Sequence, residues 1–291
     1  MAHEQIPEAE ALLDKEFPVL DHGFVRLIDY MGSDDAIVRA ARVSYGKDTR
    51  KISEDRGLIR YLMRHRHTSP FEMVELKFHV KLPIFVARQW IRHRTANVNE
   101  YSGRYSVMRN EFYLPKPDDV KFQARDNKQG RSKQDVPDEL KRQLVAYLAD
   151  SQHEAYENYE RFIDQGLARE LARINLPLSL YTEWYWKIDL HNLFHFLKLR
   201  LDHHAQKEIR EYARVMAQMT KAVCPIAYEA FEDYVLNSFY FSASEMQAIA
   251  HTLTETSFDV DNLVAQGLSK REARELLAKI KRVKRFAKSS D

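Results

Sequence analysis

Residues Met73 to Leu82, MVELKFHVKL, alternate without a break: Val74, Leu76, Phe78, Val80 and Leu82 fall on one face and Glu75, Lys77, His79 and Lys81 on the other. A period of two is the mark of a half-buried strand, because successive side chains of extended backbone point to opposite faces. Pro83 then predicts a stop and the start of a helix, IFVARQWIRHR, on which Arg88 and Arg92 are i,i+4 neighbours. Asn97, Asn99, Ser102 and Gly103 mark a loop, and VMRNEFYL returns as a second strand. Strand, helix, arginine-rich loop and strand together make one wall of a pocket.

Outward from this wall the chain is mostly helical. Residues 1–20 look like an N-terminal extension with a short helix over Pro7 to Lys15, and GFVRLIDYM (23–31) is a first strand. Ser33-Asp34-Asp35 caps a helix through Ala41, and Ser53-Glu54-Asp55 opens another. Residues 116–136 are polar and mixed in charge, the composition of a long exposed loop. Helical patterns cover Asp138 to Gln165 and Arg169 to Asn175, LSLYTEWYW is a strand, and Asp189 caps a helix that begins HNLFHFLKLR. A further long helix runs on to Pro225, another follows in PIAYEAFEDYVL, and the part after about Asn237 is a helical extension ending in KIKRVKRFAK. The expected domain is 21–235, with 236–291 as a C-terminal extension. Few strands and many long helices predict an α+β fold, a mostly antiparallel sheet flanked by helices.

Composition narrows the function. The formal net charge of 291 residues is only +2, so nucleic-acid binding gets no global support and any phosphate site is local. No apolar run approaches the ~20 residues of a membrane span, no secretion signal opens the chain, and the lone Cys224 excludes an internal disulfide. A cytoplasmic protein without a membrane partner is expected. Eight glycines occur, none arranged as GxGxxG or GxxxxGK[ST], so phosphates must be held by side chains.

Those side chains are concentrated between Arg88 and Arg109, where five arginines meet one acid, Glu100. Guanidinium forks match phosphate oxygens in pairs, and Trp90, Tyr101 and Tyr105 offer flat surfaces for a ring. A solvated basic face is the plainer reading of the same residues. Arg173, Arg200 and Arg210 sit in apolar or helical surroundings, where burial is costly without an anion, so a ligand role and an internal salt bridge both remain open. His191 and His195 have the i,i+4 spacing of metal ligands, but Asn192 stands where HExxH has its glutamate, and no metal is expected. Cys224, among Ala222, Val223 and Ile226, reads as a buried hydrophobe. A nucleic-acid module with stacking tyrosines and a histidine-based metallohydrolase stay as alternatives.

RHRTANVNEYSGRY resembles the signature of flavin-dependent thymidylate synthases: Arg92-His93-Arg94, seven residues, then Ser102 and Arg104. ARVSY around Ser44, HTSPFE around His67, HVKLPIFVARQW, ARINLPLSLYT around Arg173 and LKLRLDHHAQKEIR around Arg200 add to it, while Asn97 replaces the usual serine. The resemblance implies reductive methylation of dUMP to dTMP with methylenetetrahydrofolate, FAD and NADPH, in a homotetramer whose active sites lie where subunits meet. It further implies FAD contacts at His67, Ser69, Arg92, His93, Arg94, Glu100, Asp189, Leu190, His191 and His195. The dUMP contacts it implies are Gln89, Trp90, Ile91, Arg92, Glu100, Tyr101, Ser102, Gly103, Arg104, Arg173 and Arg200. Arg200 is the expected catalytic residue, because a guanidinium at the pyrimidine edge favours the ionised N3 imide. Ser102 has no general base nearby in sequence and is assigned to binding.

Overall fold

The computed structural model describes residues 5–43, 52–125, 130–242, 245, 246, 249 and 259–288. The chain divides into two compact units, Met1–Leu236 and Asn237–Asp291. Ser44 of ARVSY lies outside the described residues.

The first unit is built on strands β1 (Phe17–Val19), β2 (Gly23–Met31), β3 (Glu75–Pro83), β4 (Asn97–Glu100), β5 (Lys121–Gln123), β6 (Arg131–Asp135) and β7 (Tyr181–Asp189). Five of these form one sheet in the order β1-β2-β3-β7-β4, every neighbour antiparallel, and β5 and β6 pair as a separate hairpin. Helices α1 (Pro7–Glu10), α2 (Asp34–Val43), α3 (Ile52–Arg64), α4 (Ile84–Trp90), α5 (Asp138–Asp164), α6 (Arg169–Ala172), α7 (Leu190–Arg200), α8 (Lys207–Val223) and α9 (Pro225–Phe231) complete it. The mixed helix and antiparallel-sheet class read from sequence is the one observed. Among the described residues, no helix is long and apolar enough to cross a membrane.

The alternation of β3 places Leu76, Phe78, Val80 and Leu82 on the core face, and the register sets Phe78 opposite Trp186 and Val80 opposite Trp184. Leu193, Phe196 and Leu197 of α7 and Tyr212 and Met216 of α8 belong to the same buried cluster. Trp90, Trp184, Trp186 and Phe196 make its aromatic centre, with ring centroids 4.7 to 5.7 Å apart. The Tyr212 hydroxyl donates to the Lys81 carbonyl at 2.8 Å. A Cβ on Gly23 would lie 2.1 Å from that hydroxyl, so only glycine fits there. Residues before 21 are packed on this core: Ala9 is fully buried and Leu13 bridges to Leu27.

Four local expectations are corrected. VMRNEFYL forms no named strand, only a bridge from Phe112 to Leu180. The Tyr156 hydroxyl donates to the Met108 carbonyl at 2.8 Å and the Tyr159 hydroxyl accepts from the Met108 amide at 2.9 Å, which satisfies the backbone without a ladder. Asn97 to Glu100 is not loop but the edge strand β4, hydrogen-bonded to β7. The helix after Pro83 ends at Trp90, so Arg92 is not stacked above Arg88. The polar stretch 116–136 contains the β5–β6 hairpin, fastened by Lys121–Asp135 at 2.6 Å and by Arg131–Glu208, with Val120, Ala124 and Val136 buried beneath it. In the second unit, helices Val260–Ala265 and Lys270–Lys288 pack with Leu263 and Ala273 buried.

Candidate active site

Two segments a hundred residues apart in sequence meet at one cavity. Pro83 starts α4, the chain leaves it at Ile91, and residues 92–95 turn back toward β4. Asp189 caps α7 by accepting from the Asn192 amide at 2.9 Å, which sets the helix so that its last residue, Arg200, faces that turn. The cavity between them, about 370 Å³, is lined by Arg92, His93, Arg94, Asn192, His195 and Arg200, among others.

Arg200 and His93 form its polar centre. Arg200 Nε donates to His93 Nε2 at 3.0 Å and Arg200 Nη2 donates to the Gln89 carbonyl at 3.1 Å. His93 is pushed down to about 4 by burial, by the Arg200 charge and by His195, so the ring is neutral and free to accept that bond. Its proton then resides on Nδ1. Burial also pulls Arg200 below the ordinary arginine range. No carboxylate pairs with Arg200, Arg92 or Arg94 among the described residues. Arg200 Nη1 is left without a protein partner there. A half-buried guanidinium held by a neutral histidine and a carbonyl is short of negative charge, and the site is one built to receive an anion.

A second group lies on the turn after β4. Ser102 Oγ accepts from the Arg104 amide at 3.3 Å, and the Ser102 carbonyl accepts from the amides of Tyr105 and Ser106. A Cβ on Gly103 would stand 2.7 Å from Met108 Sδ and 3.2 Å from Arg173 Cδ, so the glycine lets this turn close onto Arg173. Tyr101 donates to the Val107 carbonyl at 2.7 Å, and Glu100 accepts from the Thr182 hydroxyl at 2.8 Å. Arg104 and Arg173 are exposed.

The remaining expected residues separate into those near the cavity and those behind it. Gln89 hydrogen-bonds Gln206, and Ile91 is partly exposed beside the turn. His67 and Ser69 sit exposed on the turn between α3 and the short helix Phe71–Met73, with His67 stacked on Tyr61 at 5.9 Å. They do not line the cavity, and neither does His191. The side chains of Trp90 and Leu190 are fully buried, so the Trp90 ring supports the turn from within the core and Leu190 anchors α7. Asp189 spends its carboxylate on capping. Asn192, which lines the cavity, was not anticipated; its signal was the i, i+3, i+7 series Asn192, His195, Leu199 on one face of α7.

Three guanidinium groups without a carboxylate partner among the described residues, beside a neutral histidine on an α+β scaffold, make a cavity suited to an anionic ligand. The family described as thymidylate synthase complementing protein matches residues 26–226. The flavin-dependent thymidylate synthase of Treponema denticola is 58% identical over 241 residues, covering 83% of this chain and 91% of that protein. That of Wolbachia pipientis is 60% identical over 244 residues, covering 84% and 86%. The crystal structure of the UMP/dUMP methylase PolB from Streptomyces cacaoi, bound with 5-Br dUMP, superposes with a TM-score of 0.68 at 35% identity, covering 75% of this chain and 98% of that one. The chain belongs to the flavin-dependent thymidylate synthases, a family of methyltransferases.

Proposed function

We propose that this protein converts dUMP to dTMP by reductive methylation, with 5,10-methylenetetrahydrofolate as carbon donor, FAD as hydride carrier and NADPH as reductant. The carrying observation is Arg200: a half-buried cation without a carboxylate, oriented by His93 and the Gln89 carbonyl, with Nη1 free. Placed at the pyrimidine edge, it favours the N3 imide anion, and the added electron density at C5 drives attack on the folate methylene carbon. The C5 proton leaves afterwards, so no enzyme thiol has to add to the ring. Cys224, fully buried in the core, fits that account.

The donor set fits a flavin dinucleotide held without a glycine loop. Arg92 and Arg94 supply guanidinium groups with no carboxylate partner among the described residues, and His195 and Asn192 supply polar atoms across the cavity. FAD, when bound, supplies the hydride that completes the methyl group. Glu100, Tyr101, Ser102, Gly103, Arg104 and Arg173 are assigned to dUMP, with His67, Ser69 and His191 near the flavin. Because the Ser102–Arg104 turn and Arg173 line no part of the Arg200 cavity, the reading places them in a neighbouring subunit's site within a homotetramer. Leu171, Ile174 and Leu178 are exposed apolar residues next to Arg173, as an interface there requires. A cytoplasmic location suits the reducing folate and NADPH pools this reaction draws on.

A visible spectrum of the purified protein, followed by addition of dUMP and methylenetetrahydrofolate to the reduced protein, tests the proposal. Flavin absorbance and dUMP-dependent reoxidation with dTMP formation are expected. A colourless protein that makes no dTMP when supplied with FAD would overturn it.

A further inference from the structure

A second, larger groove lies beside the Arg200 network. It measures about 880 Å³ and runs between the β5–β6 hairpin and the loop that follows α7. Its wall contains Lys121, Arg131, Lys133, Lys207 and Arg210, with His203 and His204, and no aspartate or glutamate among the described residues. Three of these cations are fixed by acids behind the wall: Lys121 by Asp135, Arg131 by the buried Glu208 and Lys207 by Asp119. Lys133 and Arg210 have no carboxylate partner among the described residues. Arg210 Nη1 donates to the His203 carbonyl at 2.9 Å, while its Nε is buried with no acceptor. Phe122 adds an exposed apolar surface to the same wall.

The groove is joined to the candidate active site. Gln206, in its wall, hydrogen-bonds Gln89, whose carbonyl accepts from Arg200. The cationic groove therefore adjoins the Arg200 cavity, with Gln206 and Gln89 between the two. A lone phosphate is far smaller than this space. We propose that the groove binds the polyanionic tail of a co-substrate, a chain of carboxylates or phosphates that extends away from the reacting ring. The inference rests on the function proposed above, and two sources share its chemistry: the glutamyl chain of the folate and the phosphates of NADPH.

Titration calorimetry on the FAD-loaded full chain tests it with two pairs of probes. One is pentaglutamyl against monoglutamyl tetrahydrofolate; the other is NADPH against NADH. The wild type is expected to bind one tailed probe about tenfold more tightly than its shorter counterpart, and Lys133→Glu to abolish that preference without weakening the counterpart. The pair that responds identifies the source. Arg210→Gln is expected to reduce the same preference, and a fluorescence melt checks that it is folded. Equal binding within both pairs by the wild type would overturn the proposal, as would an unchanged preference in both variants. Formation of dTMP, measured separately, judges the reaction itself, so a protein that binds tails but makes no dTMP leaves the groove standing and sinks the activity.

Discussion

Replacing His93 with glutamine removes the one titrating ring in contact with Arg200 and leaves an acceptor in its place. His93 is lowered from 6.5 to about 4, first by burial and then by the charges of Arg200 and His195. Between those two pH values the unfolded chain takes up a proton that the folded chain refuses, so stability is greatest above 6.5 and is lost as pH falls toward 4. At about 1.4 kcal/mol per tenfold, the full displacement corresponds to about 3 kcal/mol, which solvent around the half-buried ring reduces to about 1–2 kcal/mol. Urea unfolding at pH 7 and pH 4.5, followed by fluorescence of the buried Trp90, Trp184 and Trp186, measures it. The wild type is expected to lose about 1–2 kcal/mol more than His93→Gln between the two conditions. Equal losses would refute the neutral, acceptor role of His93 beneath the guanidinium.

Three further outcomes follow from the geometry. Gly103→Ala pushes a methyl group against Met108 Sδ and Arg173 Cδ; the KM for dUMP should rise several-fold in steady-state assays, with flavin absorbance unchanged. Trp90→Ala empties the aromatic centre of the core and should cost about 3–5 kcal/mol in denaturant unfolding, with any loss of activity following the loss of fold. Cys224→Ala should keep dTMP formation near the wild-type rate, because the thiol is fully buried and has no chemical step assigned to it.

The legibility of the fold depends on where each signal is physically written. β3 shows itself because one face is buried and the other wet, and α7 because Asp189 supplies a cap that the sequence alone displays. β4 carries no such pattern, since all four of its side chains are exposed and it is held to β7 by backbone pairing and the Thr182–Glu100 hydrogen bond. The β5–β6 hairpin is polar apart from Phe122 and held by ion pairs to residues as distant as Glu208, which no local window reveals. A ring between arginines resembles a stacking platform, whereas Val86, Ala87 and Trp90 share a helix face that points into the core. Within the site, the sequence shows the arginine excess around Arg92 and Arg94 and leaves Arg200 open between a ligand and an internal salt bridge. Their convergence is not legible there, because a hundred residues and the whole of β7 lie between them.

The central claim is that the Arg200 cation activates the pyrimidine. Removing an electrostatic stabiliser of this kind costs about 2.7–4 kcal/mol of transition-state stabilisation, or about a hundred- to a thousand-fold in rate. The direct measurement is dTMP formation by Arg200→Ala, supplied with dUMP, methylenetetrahydrofolate and NADPH, beside the flavin spectrum of the same sample. Loss of turnover by about that factor with the flavin still bound is the predicted result, and wild-type turnover in the variant would contradict it.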